Sequence, residues 1–141
     1  RISLDLQNKL TLGNLRASRD WGFAGDYVEG MYLMMQNDKP DDWVLSSDET
    51  HTVEEFVKIA FDYVNLNWED YVETSKKYER PNEVEHLLGD SSKARDKLGW
   101  KPKVSFKELV HMMVDSDLEE ATREKVLLEQ NLITPTWENP V

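Results

Sequence analysis

The chain has 141 residues, of which 39% are hydrophobic and 32% charged, so it can form one domain with a core and is not a disordered chain. Lys and Arg number 17 against 28 Asp and Glu, and the resulting net charge of −11 argues against nucleic acid or an anionic membrane as a partner. The absence of Cys excludes disulfides and thiolate metal sites and favours a reducing, cytoplasmic location.

The first elements predicted along the chain are a strand and a helix. Alternating apolar residues predict a strand over 9–12, which ends at a Gly-Asn turn. Residues 24–36 predict a helix whose apolar face comprises Ala24, Tyr27, Val28, Met31, Met34 and Met35. We interpret these methionines, together with Met112 and Met113, as core or helix-packing positions rather than as a cofactor site.

Two strands with a helix between them are predicted next. The short apolar run 43–47 predicts one strand, and the alternation of 68–74 predicts the other. Between them, Thr52 and Glu55 match the capping box that starts a helix. The apolar residues that follow recur with helical spacing and are Val53, Phe56, Val57, Ala60, Phe61 and Val64.

An irregular segment and a short helix follow. Pro81 disfavours the helical conformation at Arg80, so residues 75–89 are predicted to be extended or irregular. Asp90 is the predicted N-cap of a short helix, and Gly99 is the left-handed residue that ends it.

A second capping box marks the last predicted helix. Ser105 and Glu108 start a helix that is predicted to reach about Ala121, while residues 122–130 also fit a helix and 131–141 fit a tail. The sequence indicates an α/β chain that resembles the α+β class. It predicts short strands and amphipathic helices but no long series of parallel strands.

Common cofactor and metal motifs are missing from the sequence. It contains no G-x-G-x-x-G turn for the pyrophosphate of a dinucleotide, no phosphate-binding P-loop and no Tyr-x-x-x-Lys pair. His51, His86 and His111 lack the spacing of a metalloprotease. The sequence therefore predicts no cofactor site, no metal site and no catalytic residue in this chain.

Two arginines in predicted loops are the best candidates for a ligand site. Arg19 lies between a predicted strand and a predicted helix, and Arg80 lies in the irregular segment. A guanidinium suits bidentate capture of phosphate oxygens, so two that converge can bind a diphosphate. The alternative is structural, because Asp20 and Glu83 offer these arginines salt bridges, and the sequence leaves both interpretations open.

Three longer stretches carry a family resemblance. They are LGNLRASRDWGFAGDYVEGMYLMMQ, DETHTVEEFVKIAF and YERPNEVEHLLGDSSKARDKLGWKPKVSFKELV. Their order and spacing resemble the C-terminal, substrate-binding part of the GDP-mannose 4,6-dehydratases, which are extended short-chain dehydrogenase/reductases. The resemblance runs from about Leu4 to about Ala121.

The resemblance carries expectations for the site. It implies that residues 1–121 form a region that binds GDP-mannose or GDP, with residues 122–141 as a C-terminal helix and tail. It also implies that Arg19 and Arg80 contact the diphosphate and that Glu83 lies near the nucleotide. The family's NADP-binding Rossmann half and its Tyr-x-x-x-Lys pair precede the matched region, so no cofactor is expected in this chain.

Two functions of different classes follow from the resemblance. In the first, the chain is the substrate-binding part of a longer dehydratase, or is completed by a separate N-terminal chain, and is not competent alone. In the second, it is a stand-alone, non-catalytic module that binds a nucleotide-sugar or acts through protein contacts. An in-frame Rossmann sequence upstream of Arg1 supports the first function, and a Met start at that point supports the second.

Self-association of the isolated chain is the first testable prediction. Without a Rossmann half, apolar surface is expected to be exposed, and two copies are expected to cover it with Met31, Met34 and Met35 as contact residues. Sedimentation over a range of concentrations measures this. A strictly monomeric species at high concentration would count against it.

Overall fold

Four α-helices and four very short strands form about half of the described part of the chain, which is residues 1–134 of a computed structural model. The helices are α1 (Ala24–Met35), α2 (Val53–Tyr63), α3 (Ser92–Leu98) and α4 (Phe106–Glu129). The strands are β1 (Leu10–Leu12), β2 (Ser18–Arg19), β3 (His51–Thr52) and β4 (Val72–Thr74). Single turns of 3₁₀ helix lie at Ile2–Leu4, Trp68–Asp70 and Lys76–Tyr78.

The strands form two small pairs. β1 runs parallel to β4, with Leu10 opposite Val72. β2 runs antiparallel to β3, with Arg19 opposite His51. Ser18 also forms a parallel bridge with His86, so β2 has neighbours on both of its edges.

The core lies mainly between α2 and α4. Val57 of α2 and Val110 of α4 are buried where the two helices pack. Three aromatic rings extend this core towards β2, because Trp21 lies 5.0 Å from Phe56 and 6.4 Å from Phe106 between ring centroids. The residue that follows Arg19 and Asp20 is therefore fixed in the core.

A buried aspartate joins α1 to the segment that follows α3. The carboxylate of Asp26 accepts the backbone N–H groups of Lys103 (2.9 Å) and Val104 (3.1 Å). Its backbone carbonyl accepts the indole N–H of Trp100 at 2.7 Å, and both Asp26 and Trp100 are buried. The bond to Trp100 satisfies buried polar groups, and the two bonds to Lys103 and Val104 are part-buried.

The interpretation of the methionines as core or helix-packing positions is wrong for the core as regards Met31, Met35, Met112 and Met113, whereas Met34 is half-buried and packing against a further helix stays a prediction. Met31 is 58% exposed and Met35 is 82% exposed, and Met112 and Met113 are also exposed. The buried residues of α1 are instead Asp26 and Gly30, and a Cβ at Gly30 would overlap the side chain of Leu45. The apolar stripe of α1 is therefore divided, because Tyr27 stacks on the buried Trp100 while Val28, Met31 and Met35 are exposed.

Of the two strands predicted on either side of α2, the one over 43–47 is absent and the one over 68–74 is shorter than predicted. Residues 43–47 form no strand in the described part of the chain, because Ser47 donates its N–H to the carboxylate of Asp20 (2.8 Å) rather than to a ladder. The predicted strand 68–74 is reduced to β4. Its first half forms a 3₁₀ turn in which the N–H of Tyr71 donates to the carbonyl of Trp68.

The helix starts and stops agree more closely with the sequence. Both predicted capping boxes are present, with Thr52 and Glu55 at α2 and with Ser105 and Glu108 at α4. Gly99 ends α3 with a φ of 66°, the left-handed conformation that glycine adopts without strain.

The N-cap of α3 is Ser91 rather than Asp90. The carboxylate of Asp90 still accepts the N–H of Ser92 at 2.9 Å, so Asp90 satisfies one free backbone donor from one position earlier.

The last helix includes most of the segment 122–130, whose sequence is compatible with a helix. α4 continues without a break to Glu129, so residue 121 lies inside it. Of the predicted tail, residues 135–141 lie outside the described residues. No helix within residues 1–134 has the length and apolar character needed to span a bilayer.

Removing the carboxylate of Asp26 tests the join between α1 and the segment after α3. In Asp26→Ala the part-buried N–H groups of Lys103 and Val104 lose their charged acceptor, so the free energy of unfolding should fall by about 2–3 kcal/mol. Asp26→Asn keeps one acceptor oxygen and should lose less. The control is Met35→Ala on the exposed face of α1, expected to change stability by less than about 0.5 kcal/mol. Equal denaturant midpoints for Asp26→Ala and Met35→Ala would contradict this account.

Candidate functional site

The candidate site is built on β2 and the segment that runs beside it. The N–H of Ser18 donates to the carbonyl of Glu85 (2.7 Å), and the carbonyl of Ser18 accepts the N–H of Leu87 (3.1 Å). Residues 85–87 therefore lie along one edge of β2, and β3 lies along the other. This arrangement fixes the backbone of Arg19 from both sides.

The structure brings Arg19 and Glu83 together in a direct ion pair. The Nη1 group of Arg19 also donates to the carbonyls of Ser18 (2.7 Å) and Val84 (2.6 Å). The Arg19 and Glu83 side chains are only 21% and 19% exposed, so both are partly withdrawn from water. The salt bridge to Glu83 that the sequence left open is therefore formed by Arg19, and Asp20 is not a partner of Arg19.

Arg80 lies close by in the chain but is not paired. Its Cα is at most about 11 Å from that of Glu83, because three residues separate them. Arg80 is exposed and makes no hydrogen bond or ion pair within residues 1–134. Of the two candidate arginines, Arg80 is thus the one whose guanidinium is fully available to a ligand.

The segment that leads to Arg80 is anchored against the end of β1. The N–H of Ser75 donates to the carbonyl of Leu12 at 2.9 Å. A Cβ at Gly13 would overlap the carbonyl oxygen of Tyr78, so only glycine allows this close approach of the two backbones. The backbone on both sides of Arg80 is therefore held, at Ser75 and at Val84.

Asp20 holds two further loops at the end of β2, a role that sequence analysis missed. Its carboxylate accepts the N–H (2.8 Å) and the hydroxyl (2.7 Å) of Ser47 and the N–H of Gly89 (3.2 Å). The sequence suggested a salt bridge for this residue because it adjoins Arg19. No local pattern points to partners that lie 27 and 69 residues away.

Asp48 joins the same two loops a few residues further on. Its carboxylate accepts the N–H and the hydroxyl of Ser91, both at 2.7 Å, and lies 3.1 Å from the guanidinium of Arg95. Burial acts to raise the pKa of Asp48, but the hydrogen bonds from Ser91 and Ser46 and the charge of Arg95 outweigh it, so the pKa is lowered. Asp48 is therefore a charged anchor at neutral pH.

His51 lies half-buried against the first turn of α4. Its ring stacks on Phe106 with 3.9 Å between centroids, and its nitrogens lie 3.5 Å from carboxylate oxygens of Glu49 and Glu55. Among residues 1–134 there is no group of three or more His, Cys, Asp or Glu side chains that could hold a metal ion.

Two cavities lie away from the arginines. The larger, of about 820 Å³, is an apolar groove between α2, α4 and the N-terminal 3₁₀ turn. The smaller, of about 370 Å³, is lined in part by His51 and Phe106. Arg19, Arg80 and Glu83 line neither of these two cavities, so the candidate site lies outside both of them.

Three of the four described α-helices have carboxylates in their first turns, at Asp26 in α1, at Glu54 and Glu55 in α2, and at Glu108 in α4. A negative side chain at a helix start interacts with the positive end of the helix dipole and repels phosphate. These three helix starts are therefore unsuited to the pyrophosphate of a dinucleotide, and no step of a redox reaction is assigned to residues 1–134.

Comparisons with known proteins agree on one family. A family model described as GDP-mannose 4,6 dehydratase matches residues 1–113. GDP-mannose 4,6 dehydratase 1 of Arabidopsis thaliana is 63% identical over 129 residues, which are 92% of this chain and 36% of the relative. The chain thus spans about a third of the length of the curated relatives it matches.

Solved structures show the same fold at low identity. RMD from Pseudomonas aeruginosa, solved with NADPH, matches 82% of this chain and 38% of its own with a TM-score of 0.72 and 19% identity. The dTDP-glucose 4,6-dehydratase of Bacillus anthracis, solved with NAD, matches 77% of this chain and 34% of its own with a TM-score of 0.68 and 17% identity. The fold is that of part of an extended short-chain dehydrogenase/reductase, as predicted.

The lowered pKa of Asp48 predicts a specific pH dependence of stability. The pKa of Asp48 in the folded chain lies below its ordinary value of 3.8, so the unfolded chain binds the proton more tightly. The stability that the Asp48 carboxylate contributes is therefore complete above pH 3.8 and is lost as the pH falls through the folded-state pKa. At neutral pH, Asp48→Asn should lower the free energy of unfolding by about 1–2 kcal/mol. The loss should shrink as the pH is lowered below about 4.

Denaturant unfolding at several pH values measures this effect. Asp42→Asn is the matched control, because the Asp42 carboxylate is exposed and makes no hydrogen bond or ion pair within residues 1–134. A difference between the two variants that stays constant from neutral to acid pH would show that the charge of Asp48 is not what stabilises the loops.

Proposed function

Because this chain belongs to the GDP-mannose 4,6-dehydratase family, we propose that it supplies the nucleotide-sugar side of such an enzyme. In this proposal Arg80 and Arg19 contact the diphosphate of GDP-mannose, and Glu83 lies near the nucleotide. The observation that carries the proposal is Arg80, an exposed arginine without a partner in residues 1–134, in a chain that has 28 acidic residues to offer it. The guanidinium of Arg80 lies three residues from Glu83, which forms the partly buried ion pair with Arg19. An unpaired guanidinium in this position is suited to binding an anionic ligand.

The remaining capacity of Arg19 is consistent with a second phosphate contact. A guanidinium has five N–H donors, of which Nη1 uses two and Nη2 uses one within the protein. Two donors of Arg19 are left for a ligand. Arg80 has all five, so it should contribute the larger share of the phosphate affinity.

The redox part of the reaction is proposed to lie outside this chain. In the family, NADP supplies the oxidation at C4 and the hydride that returns at C6, around a loss of water across C5 and C6. The acidic helix starts and the missing pyrophosphate turn of this chain do not suit that cofactor. Residues 1–134 are therefore assigned to binding and orienting the nucleotide-sugar, and the chain alone is not expected to turn over substrate.

The exposed face of α1 is proposed to contact the rest of the enzyme. Val28, Met31, Tyr32 and Met35 are 58–82% exposed. Residues 43–47 lie beside α1, where Leu45 contacts Gly30, and they form no strand within residues 1–134. An apolar helix face next to an unpaired extended segment is suited to packing on a further domain.

The same face separates this proposal from a stand-alone binding module. A module that works alone has no use for four large apolar side chains in water on one helix, since such patches promote association. Its binding properties at Arg80 would otherwise be the same. A cytoplasmic location is part of the proposal and is supported by the absence of cysteine in the 141 residues.

Titration calorimetry with GDP tests the proposed site. The wild-type chain should bind GDP weakly, because the segments around Arg19 and Arg80 supply only part of a site. The net charge of −11 also repels the negatively charged diphosphate. Arg80→Ala should weaken binding by on the order of 1.5–3 kcal/mol, roughly ten- to a hundredfold.

The control for this titration is Arg123→Ala, which removes the same charge from an exposed site on α4, where the partners of Arg123 within residues 1–134 are Glu119 and Glu120. This control should bind GDP like the wild type. The absence of heat for every protein, or equal binding by Arg80→Ala and the wild type, would contradict the assignment.

A further inference from the structure

We propose that Glu83 and an anionic ligand compete for Arg19, so that the Arg19–Glu83 ion pair acts as a latch on the phosphate site. This inference rests on the function proposed above and concerns the regulation of that same site. Without a ligand, Glu83 holds one donor of the guanidinium, and Ser18 and Val84 hold two more. A phosphate must approach Arg19 next to a carboxylate that is already there.

The electrostatics of the pair require one of the two anions to move. Glu83 and Arg19 are about four-fifths buried, so water screens charges there less than at an open surface. A phosphate oxygen on either remaining donor of Arg19 would lie next to the Glu83 carboxylate, and the two negative charges repel. Simultaneous occupation is therefore unfavourable, whereas exchange keeps Arg19 neutralised throughout.

Arg19 is the fixed member of the pair. Its backbone lies between β3 and residues 85–87, and its Nη1 group is held by two carbonyls. Arg19 therefore stays in place when its carboxylate partner leaves.

Glu83 is the member that can move. Neither its N–H nor its carbonyl makes a hydrogen bond within residues 1–134, and a turn at residues 81–82 precedes it. Rotation of the Glu83 side chain releases Arg19 without breaking any backbone hydrogen bond of β2.

Arg80 gives the exchange a direction. It lies three residues before Glu83 and has no partner in the described part of the chain. An incoming anion can bind Arg80 first and then replace Glu83 on Arg19. The ion pair therefore lowers the affinity of the chain for any phosphate that binds Arg19. Removing the charge of Glu83 should raise this affinity.

Inorganic pyrophosphate is the probe, because it has the phosphate groups of the ligand and no hydroxyl that Glu83 could bind. Calorimetry of the 141-residue chain at about 0.15 M salt limits the effect of distant charges. Glu83→Gln should bind pyrophosphate about three- to tenfold more tightly than the wild type. The matched control is Glu85→Gln, which removes the same charge two residues away, from an exposed side chain that makes no hydrogen bond or ion pair within residues 1–134, and should change affinity less than about twofold.

The outcomes separate the latch from the proposed function. Tighter binding by Glu83→Gln than by Glu85→Gln supports the latch. Equal or weaker binding by Glu83→Gln, with binding still lost in Arg80→Ala, overturns the latch and leaves the phosphate site in place. Absence of binding by the wild type and by Glu83→Gln alike overturns both.

A measurement on the wild type does not depend on any variant folding. In ¹⁵N- and ¹³C-labelled chain, pyrophosphate should shift the Nε–Hε signal of Arg19 and the carboxyl carbon signal of Glu83 together, with the same dependence on concentration. A shift of the Arg80 side chain alone, with both Arg19 and Glu83 unchanged, overturns the latch.

Discussion

The short strand β2 is the constraint on which the rest of the candidate site depends. β2 pairs with β3 along one edge and with residues 85–87, through Ser18, along the other. The side chains of Arg19 and Asp20 then hold Glu83, Ser47 and Gly89. Because Trp21 follows in the aromatic core, the strand cannot shift without loss of packing against Phe56 and Phe106. Segments that lie 27 and 69 residues after Asp20 in the sequence are thus held next to Arg19 and Asp20.

Several of the negative charges of this acidic chain hold its loops together. Asp20, Asp26 and Asp48 each accept backbone N–H groups from segments far away in sequence. Carboxylates suit this purpose because a charged acceptor forms stronger hydrogen bonds and can accept several at once. Arg80 has no partner in residues 1–134 although acidic residues outnumber basic ones.

Local patterns predicted the local structure well. The capping boxes at Thr52 and Ser105 and the glycine stop at Gly99 depend on residues within one or two turns, so the sequence contains all the information they need. The family resemblance was confirmed for the same reason, because its motifs are contiguous.

Predictions that depend on tertiary partners did less well. The apolar stripe with Met31 and Met35 was taken as a core face, yet a helical period shows only that a face is apolar and not what covers it. Residues 43–47 have strand composition, but a strand needs a neighbour and none is present in residues 1–134. The choice between Arg19 and Arg80 as the partner of Glu83 is likewise a property of the folded chain, since Arg19 is 64 residues away and Arg80 only three.

The measurement that tests the central claim most directly is a map of backbone amide shifts in the ¹⁵N-labelled chain as GDP is added. If the anion site is built on β2 and the segment that contains Arg80, the largest shifts should fall in residues 18–20 and 79–87, with the amides of α4 beyond residue 110 unchanged. Shifts centred on the groove between α2 and α4, or no shifts at GDP concentrations far above those of a weak site, would contradict it.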